Sequence, residues 1–212
     1  MTKRIIYIIF NFIFLFSCNA NEVNFTEIIE ESIPNYNIQV IREGFFLRTD
    51  EKSFLVLSEN PKRKYNQNSI TIHDSRVLQV SSEGSIEKNY KINFGTTEYN
   101  DYIRPLITSV QKEIPNWNKY TAIFDFNGNG LDEIFTLALV GPGMEFAVYE
   151  FNGEAFERTL DDTRFLGFYI RDIEFLHNGT ERKFIITRIV NHNEQFDTYI
   201  WESATQKYVL VE

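Results

Sequence analysis

From Asn37 to Phe94 apolar and polar residues alternate, with turn-forming residues between the runs. Ile38, Val40 and Ile41, then Phe45 to Leu47, Phe54 to Leu57, Ile70 to Ile72, Val77 to Val80 and Tyr90 to Phe94 read as successive strands, because a two-residue period turns one face of each toward a core. An antiparallel meander is the simplest way to join them. The period lengthens in two places. At Asn24 to Ile33 the residues Phe25, Ile28 and Ile29 share one face and Glu27, Glu30 and Glu31 the other, which predicts a short amphipathic helix. Asn24 caps it, Glu27 stands where it can reach back, and Pro34 ends it. Ile103, Leu106, Ile107, Val110 and Ile114 recur at helical spacing and predict a second helix over Tyr102 to Ile114, beginning close to Pro105.

The C-terminal third repeats the hairpin that precedes it. Sliding Ile123 to Phe135 along the chain lays Gly130 on Gly179, Phe135 on Phe184 and Leu137 on Ile186; one further residue of slip matches Phe146 with Phe196, Tyr149 with Tyr199 and Phe151 with Trp201. Each unit reads as strand, polar turn, strand, then an aromatic hairpin, giving degenerate repeats at about 38–94, 117–160 and 168–212. The expected fold is mainly β: an antiparallel meander of blade-like β-hairpin repeats in a partial or open propeller-like arrangement, with two short helices. So few units fall short of the rings that close.

Ahead of this domain Lys3 and Arg4 precede the apolar run Ile5 to Phe16, followed by Leu15-Phe16-Ser17-Cys18. A positive start and an apolar run of about twelve residues, too short to span a bilayer, describe an export signal. The stretch resembles a bacterial lipoprotein signal, and the resemblance implies cleavage before Cys18 and lipidation of that cysteine. Cleavage after Ala20, or retention of the segment as an anchor, are the alternatives. The division that follows is a signal peptide at 1–17, a lipid tether at 18–23 and a single β-rich domain at 24–212, exported and attached to a bacterial membrane on its periplasmic or outer side.

Losing residues 1–17 removes two positive charges and no acidic ones, so the formal charge of −9 becomes −11. Such a balance argues against nucleic acid as a partner and against polybasic attachment to anionic lipid. Cys18 is the only cysteine, so no intramolecular disulfide helps hold the domain. About 195 residues rich in Phe and Tyr are enough for a core of their own.

The most specific stretch is Asp125-Phe126-Asn127-Gly128-Asn129-Gly130-Leu131-Asp132-Glu133. Oxygen-bearing side chains fall at its first, third, fifth and ninth positions, and strand-forming runs flank it. Calcium takes several hard oxygen ligands from alternate residues of a tightly curled loop. Gly130 relaxes the backbone where a side chain would resist. Asp125, Asn127 and Asn129 would offer side-chain oxygens, Leu131 its carbonyl, and Glu133 would close the site, with Asp132 pointing away. An EF-hand would need flanking helices and Glu at position twelve, where Thr136 stands. The order resembles the calcium loop of FG-GAP and VCBS repeats, the β-hairpin units of integrin-α-like propellers, which usually carry Asp where this chain has Glu133. The resemblance covers about one repeat and implies the same five ligands and a structural calcium ion. Asn-Gly sequences also make metal-free hairpin turns, since both residues tolerate positive φ.

Other chemistry is sparse. His73, His177 and His192 have no partner at metal spacing, and there is neither a Gly-x-Ser-x-Gly elbow nor a Gly-rich phosphate loop. Asp161-Asp162 could be half of a glycosidase pair, but neighbouring residues face apart. Pro61 to Asn68 is a locally basic loop and Gly141-Pro142-Gly143 a turn. With no catalytic motif, the expectation is a lipid-anchored binding or assembly module of the cell envelope rather than an enzyme. Its aromatic hairpins (Tyr149, Phe151, Tyr199, Trp201) would contact an envelope protein or glycan, or else pack inward. The alternative is an envelope hydrolase using acidic residues on the same scaffold.

Overall fold

A computed structural model describes residues 23–63, 70–92, 97–99, 121–140, 143–160, 169–178 and 181–211. The export segment with Cys18, the helix expected over Tyr102 to Ile114, Trp117 and Asp161-Asp162 lie outside the described residues. Among the described residues there is one α-helix, α1 (Phe25–Ser32), and one 3-10 turn at Pro61–Arg63; the rest of the described residues are strands, turns and loops.

Three antiparallel sheets follow one another along the chain, of four, six and four strands. The first has the order β1 (Asn37–Arg48), β2 (Glu51–Glu59), β4 (Asp74–Val80), β5 (Ile86–Lys91). In the second, β7 (Thr121–Phe124), β8 (Glu133–Val140), β9 (Gly143–Phe151) and β10 (Phe156–Arg158) pair in sequence order. The third runs β11 (Tyr169–Asn178), β12 (Glu181–Val190), β13 (Asn193–Glu202), β14 (Lys207–Leu210). None of the three paths closes into a barrel among the described residues.

Two expectations for the N-terminal region change. Ile38 to Ile41 and Phe45 to Leu47 belong to one strand, β1, which register shifts bend between Ile38 and Val40 and between Gly44 and Arg48. A bulge lets the chain change direction while keeping its partner, and between the two shifts Arg42-Glu43-Gly44 stays in unbroken register with Leu55-Phe54-Ser53, so the polar break lies within a strand and not at a turn. Ile70 to Ile72 (β3) leaves the meander: it pairs with β6 (Thr97–Tyr99), which joins β8 at Glu98↔Leu139. His73 makes the corner, its N–H bonding the Ser58 carbonyl at 2.9 Å.

Helix α1 begins as its sequence dictates. The Asn24 side-chain oxygen accepts from the Glu27 N–H at 3.4 Å, and the Asn24 amide donates back to the Glu27 carboxylate at 3.4 Å. The apolar face of α1 covers one side of the first sheet, where Ile29 and Ile33 bury against Val56, Leu78 and Val80. Gly84 turns β4 into β5 with φ +84, and a Cβ there would meet Ile28 at 2.9 Å, so the turn needs glycine for its backbone and for its closeness to the helix.

The other core is larger and joins all three sheets. Leu55, Leu57 and Val77 of the first sheet, Phe135, Phe146 and Val148 of the second, and Ile173, Phe184 and Ile186 of the third belong to it. Aromatic rings dominate the seam between the second and third sheets. Phe124 stacks on Phe135 with centroids 4.7 Å apart, Phe126 meets Phe175 edge-on at 5.2 Å, and Phe184 stacks on Tyr199 at 5.2 Å. Burying each such side chain stabilises by roughly 1.5–3 kcal/mol. Of the two readings of the aromatic hairpins the structure shows inward packing: Tyr149 and Tyr199 are core residues, and Phe151 and Trp201 are half-buried against the core.

Candidate functional site

The loop 125–132 joins β7 to β8, whose pairing ends at Phe124↔Glu133. Its polar side chains fold the loop on itself. Asp125 accepts from the N–H of Gly128 at 2.6 Å through one oxygen and from that of Gly130 at 3.0 Å through the other. The Asn127 oxygen accepts from Asn129 N–H at 3.0 Å, and the Asn129 oxygen from Leu131 N–H at 2.8 Å. Each bond spans two to five residues, so the alternation noted in the sequence becomes a coil with side-chain oxygens on its inside. Gly128 (φ +82) and Gly130 (φ +91) supply the left-handed backbone this requires.

All three sheets meet at this loop. Asp132 turns away from the coil, as expected, and onto β1: its carboxylate accepts from Phe45 N–H at 2.7 Å, and its own N–H donates to the Phe45 carbonyl at 2.9 Å. Gly44 makes room for that contact, since a Cβ there would lie 3.0 Å from the Asp132 carboxylate and 2.7 Å from the Phe46 ring. From the third sheet Arg182 of β12 donates to the Phe126 carbonyl at 2.6 Å and stands 4.0 Å from the Asp125 carboxylate. A Cβ on Gly128 would overlap the Arg182 guanidinium.

Glu133 lies beneath the coil and is 0 % exposed. One oxygen accepts from the N–H groups of Phe126 at 2.7 Å and Asn127 at 3.0 Å, and the other accepts from the Tyr208 hydroxyl of β14. Burial pushes its pKa up to about 8, against the pull of these donors. Tyr208 is raised well above the ordinary tyrosine range, first by burial and then by Glu133.

Glu150 completes the cluster. The amides of Asn127, at 2.9 Å, and Asn129 donate to its two oxygens. Its pKa is raised, chiefly by burial, with Asp125 adding to the effect. Two buried carboxyls therefore lie close to Asp125, the carboxylate that faces the Arg182 guanidinium, an arrangement that favours protons or a further cation.

Of the five ligands expected from the sequence, Asp125, Asn127, Asn129 and Leu131 lie along the coil, while Glu133 sits below it with both oxygens hydrogen-bonded. The donor set of carboxylate, two amides and a backbone carbonyl has the hard-oxygen chemistry calcium takes. Among the described residues no group of three or more Asp, Glu, His or Cys side chains is placed to hold a metal ion; the loop's own set contains two carboxylates. His73 occupies the corner between β3 and β4, and His192 (φ +67) the turn between β12 and β13.

Sequence reasoning missed Glu150 and Tyr208. A signal for the first existed: a β8–β9 hairpin centred on Gly141-Pro142 pairs Ile134 with Tyr149, which sets Glu150 one step beyond, opposite Glu133. Tyr208 carries no such local signal, being 75 residues from its partner. Arg182 stands where the slide that lays Gly130 on Gly179 brings the position of Glu133, and the structure places it on the loop of the earlier unit. No protein-family model matches the chain, and no curated protein matches it. Among the described residues no helix is long and apolar enough to cross a membrane.

Proposed function

We propose that this protein is an exported, lipid-anchored binding or assembly module of the cell envelope, braced by a structural calcium ion in the Asp125–Glu133 loop. The observation that carries the reading is that the coil of oxygens stands where three β-sheets converge, so an ion held there would tie all three at once. Asp125, Asn127, Asn129 and the Leu131 carbonyl would hold it, with Glu133 supporting the coil from below and Glu150 fixing the two amides. A bound calcium ion supplies positive charge to a carboxylate cluster that burial has left short of it. The three meanders are read as blade-like units of an open, propeller-like stack. Cys18, acylated after signal cleavage, would hold the domain to the membrane by a short tether.

An ion bound with a dissociation constant of about 0.1 mM, bathed in about 1 mM calcium, would stabilise the fold by roughly 1.4 kcal/mol. For a domain of this size that raises the melting temperature by about 3–5 °C. The test is the melting of the mature chain in calcium and in EDTA, beside the Asp125→Asn variant. Wild type should gain those degrees with calcium and the variant should gain none. Identical melting of wild type in both buffers removes calcium from the reading, and a mature chain whose mass shows no diacylglyceryl group removes the anchor.

A further inference from the structure

A cleft of about 330 Å³ opens beside the loop. Asn129 and Leu131 form one wall, the β9–β10 hairpin from Glu150 to Thr159 a second, and the β13–β14 turn at Gln206 and Lys207 a third, with Leu47 of β1 completing the lining. The volume lies at the small end of the range for ligand sites. All three sheets contribute to it, so its shape is set by the junction.

The lining has a definite chemistry. Glu150, Thr159 and Leu47 are buried, whereas Glu157, Gln206 and Lys207 are exposed at the rim. Glu150 is held in place by the Asn127 and Asn129 amides, so it can accept further hydrogen bonds without being reoriented. The Thr159 hydroxyl donates to the Val148 carbonyl at 3.3 Å, which leaves its oxygen as an acceptor. Arg158 is engaged by Glu145 and the Leu160 carbonyl. What remains is a carboxyl acceptor below, a carboxylate and an ammonium at the rim, and aliphatic surface from Leu47 and Leu131. An anion would meet Glu150 and Glu157 and a chain of net charge −9; a simple amine would meet Lys207.

We infer that this cleft binds one neutral sugar unit. Hydroxyl groups both donate and accept, so they satisfy the carboxylates and the ammonium together, and the C–H face of a pyranose ring packs on the two leucines. A rigid ring also loses little conformational freedom on entering. Affinity in the millimolar range is expected for a ligand of that size. The inference gives the binding module its ligand class and rests on that reading, while the calcium brace is a separate claim.

The experiment titrates the full chain, purified in a detergent that contains no sugar, with glucose, galactose and N-acetylglucosamine by saturation-transfer NMR, in calcium and again in EDTA. At least one sugar should saturate, and the double variant Glu157→Ala/Lys207→Ala, altered only at the exposed rim, should bind it at least about tenfold more weakly with its melting unchanged. Failure of all three sugars to saturate overturns the inference, and so does equal binding by the variant. Calcium-dependent melting without sugar binding overturns the cleft and leaves the brace standing; sugar binding unaffected by EDTA supports the cleft independently of the metal.

Discussion

Glu133→Gln tests whether the carboxyl beneath the loop is held as a neutral group. Its pKa is raised from 4.5 to about 8 in the folded chain, so the native state takes up a proton that the unfolded chain has released. The stability this provides is fully present below about pH 4.5 and is lost as pH rises through about 8. At about 1.4 kcal/mol per pH unit, that shift is worth about 5 kcal/mol, of which about 3 kcal/mol has gone by pH 7. Glutamine keeps an oxygen for the N–H groups of Phe126 and Asn127 and never ionises. Its amide faces the Tyr208 oxygen, which can accept. The assay is urea unfolding from about pH 5 to about pH 9 in the presence of EDTA. Wild type should lose stability steadily across that range relative to the variant, the two crossing so that the variant is the more stable at the alkaline end. Glu150 is raised in the same direction and repels Glu133 by charge, so the difference between the two proteins reports Glu133 together with its effect on Glu150. Two curves that stay parallel throughout would refute the reasoning, because a constant offset reports lost packing and not a titrating group.

Two further substitutions probe the junction. Arg182→Met removes the donor to the Phe126 carbonyl and the guanidinium beside Asp125 while keeping most of the packing volume; a loss of about 1–3 kcal/mol in urea unfolding is expected, with faster hydrogen exchange at Gly128 and Gly130. Gly44→Ala places a methyl group against the Phe46 ring and the Asp132 carboxylate, and should cost about 1–3 kcal/mol together with exchange protection of the Phe45 amide; unchanged protection there would show that β1 and the loop can part without penalty.

Hydrophobic periodicity made the strands legible because each sheet has one face in a common core, and alternation is the direct trace of that burial. Asn24 and Glu27 announced α1 for the same local reason. The periodicity did not reveal that β3 would leave its neighbours, since a three-residue strand carries no partner information in its own sequence. Nor could it tell that Tyr149 and Tyr199 would be interior: an aromatic residue on a hairpin has the same pattern whether the next sheet covers it or water does. At the loop, the turn-forming Asn and Gly residues and the alternation of oxygens were visible as spacing. Glu133 was legible as an acid at the right interval but not as a buried one, because its hydroxyl partner is a tyrosine 75 residues away on β14.

The bond between Tyr208 and Glu133 also bears on the order in which the molecule can be completed. A chain that emerges from its amino end presents the acidic connector long before the strand carrying the tyrosine exists, and through that interval the glutamate remains in water, ionised. Pairing of β14 with β13 is what brings the tyrosine hydroxyl onto that carboxyl. The tyrosine works as a latch on a joint built in the middle of the chain, added to the ties that Asp132 and Arg182 already make there.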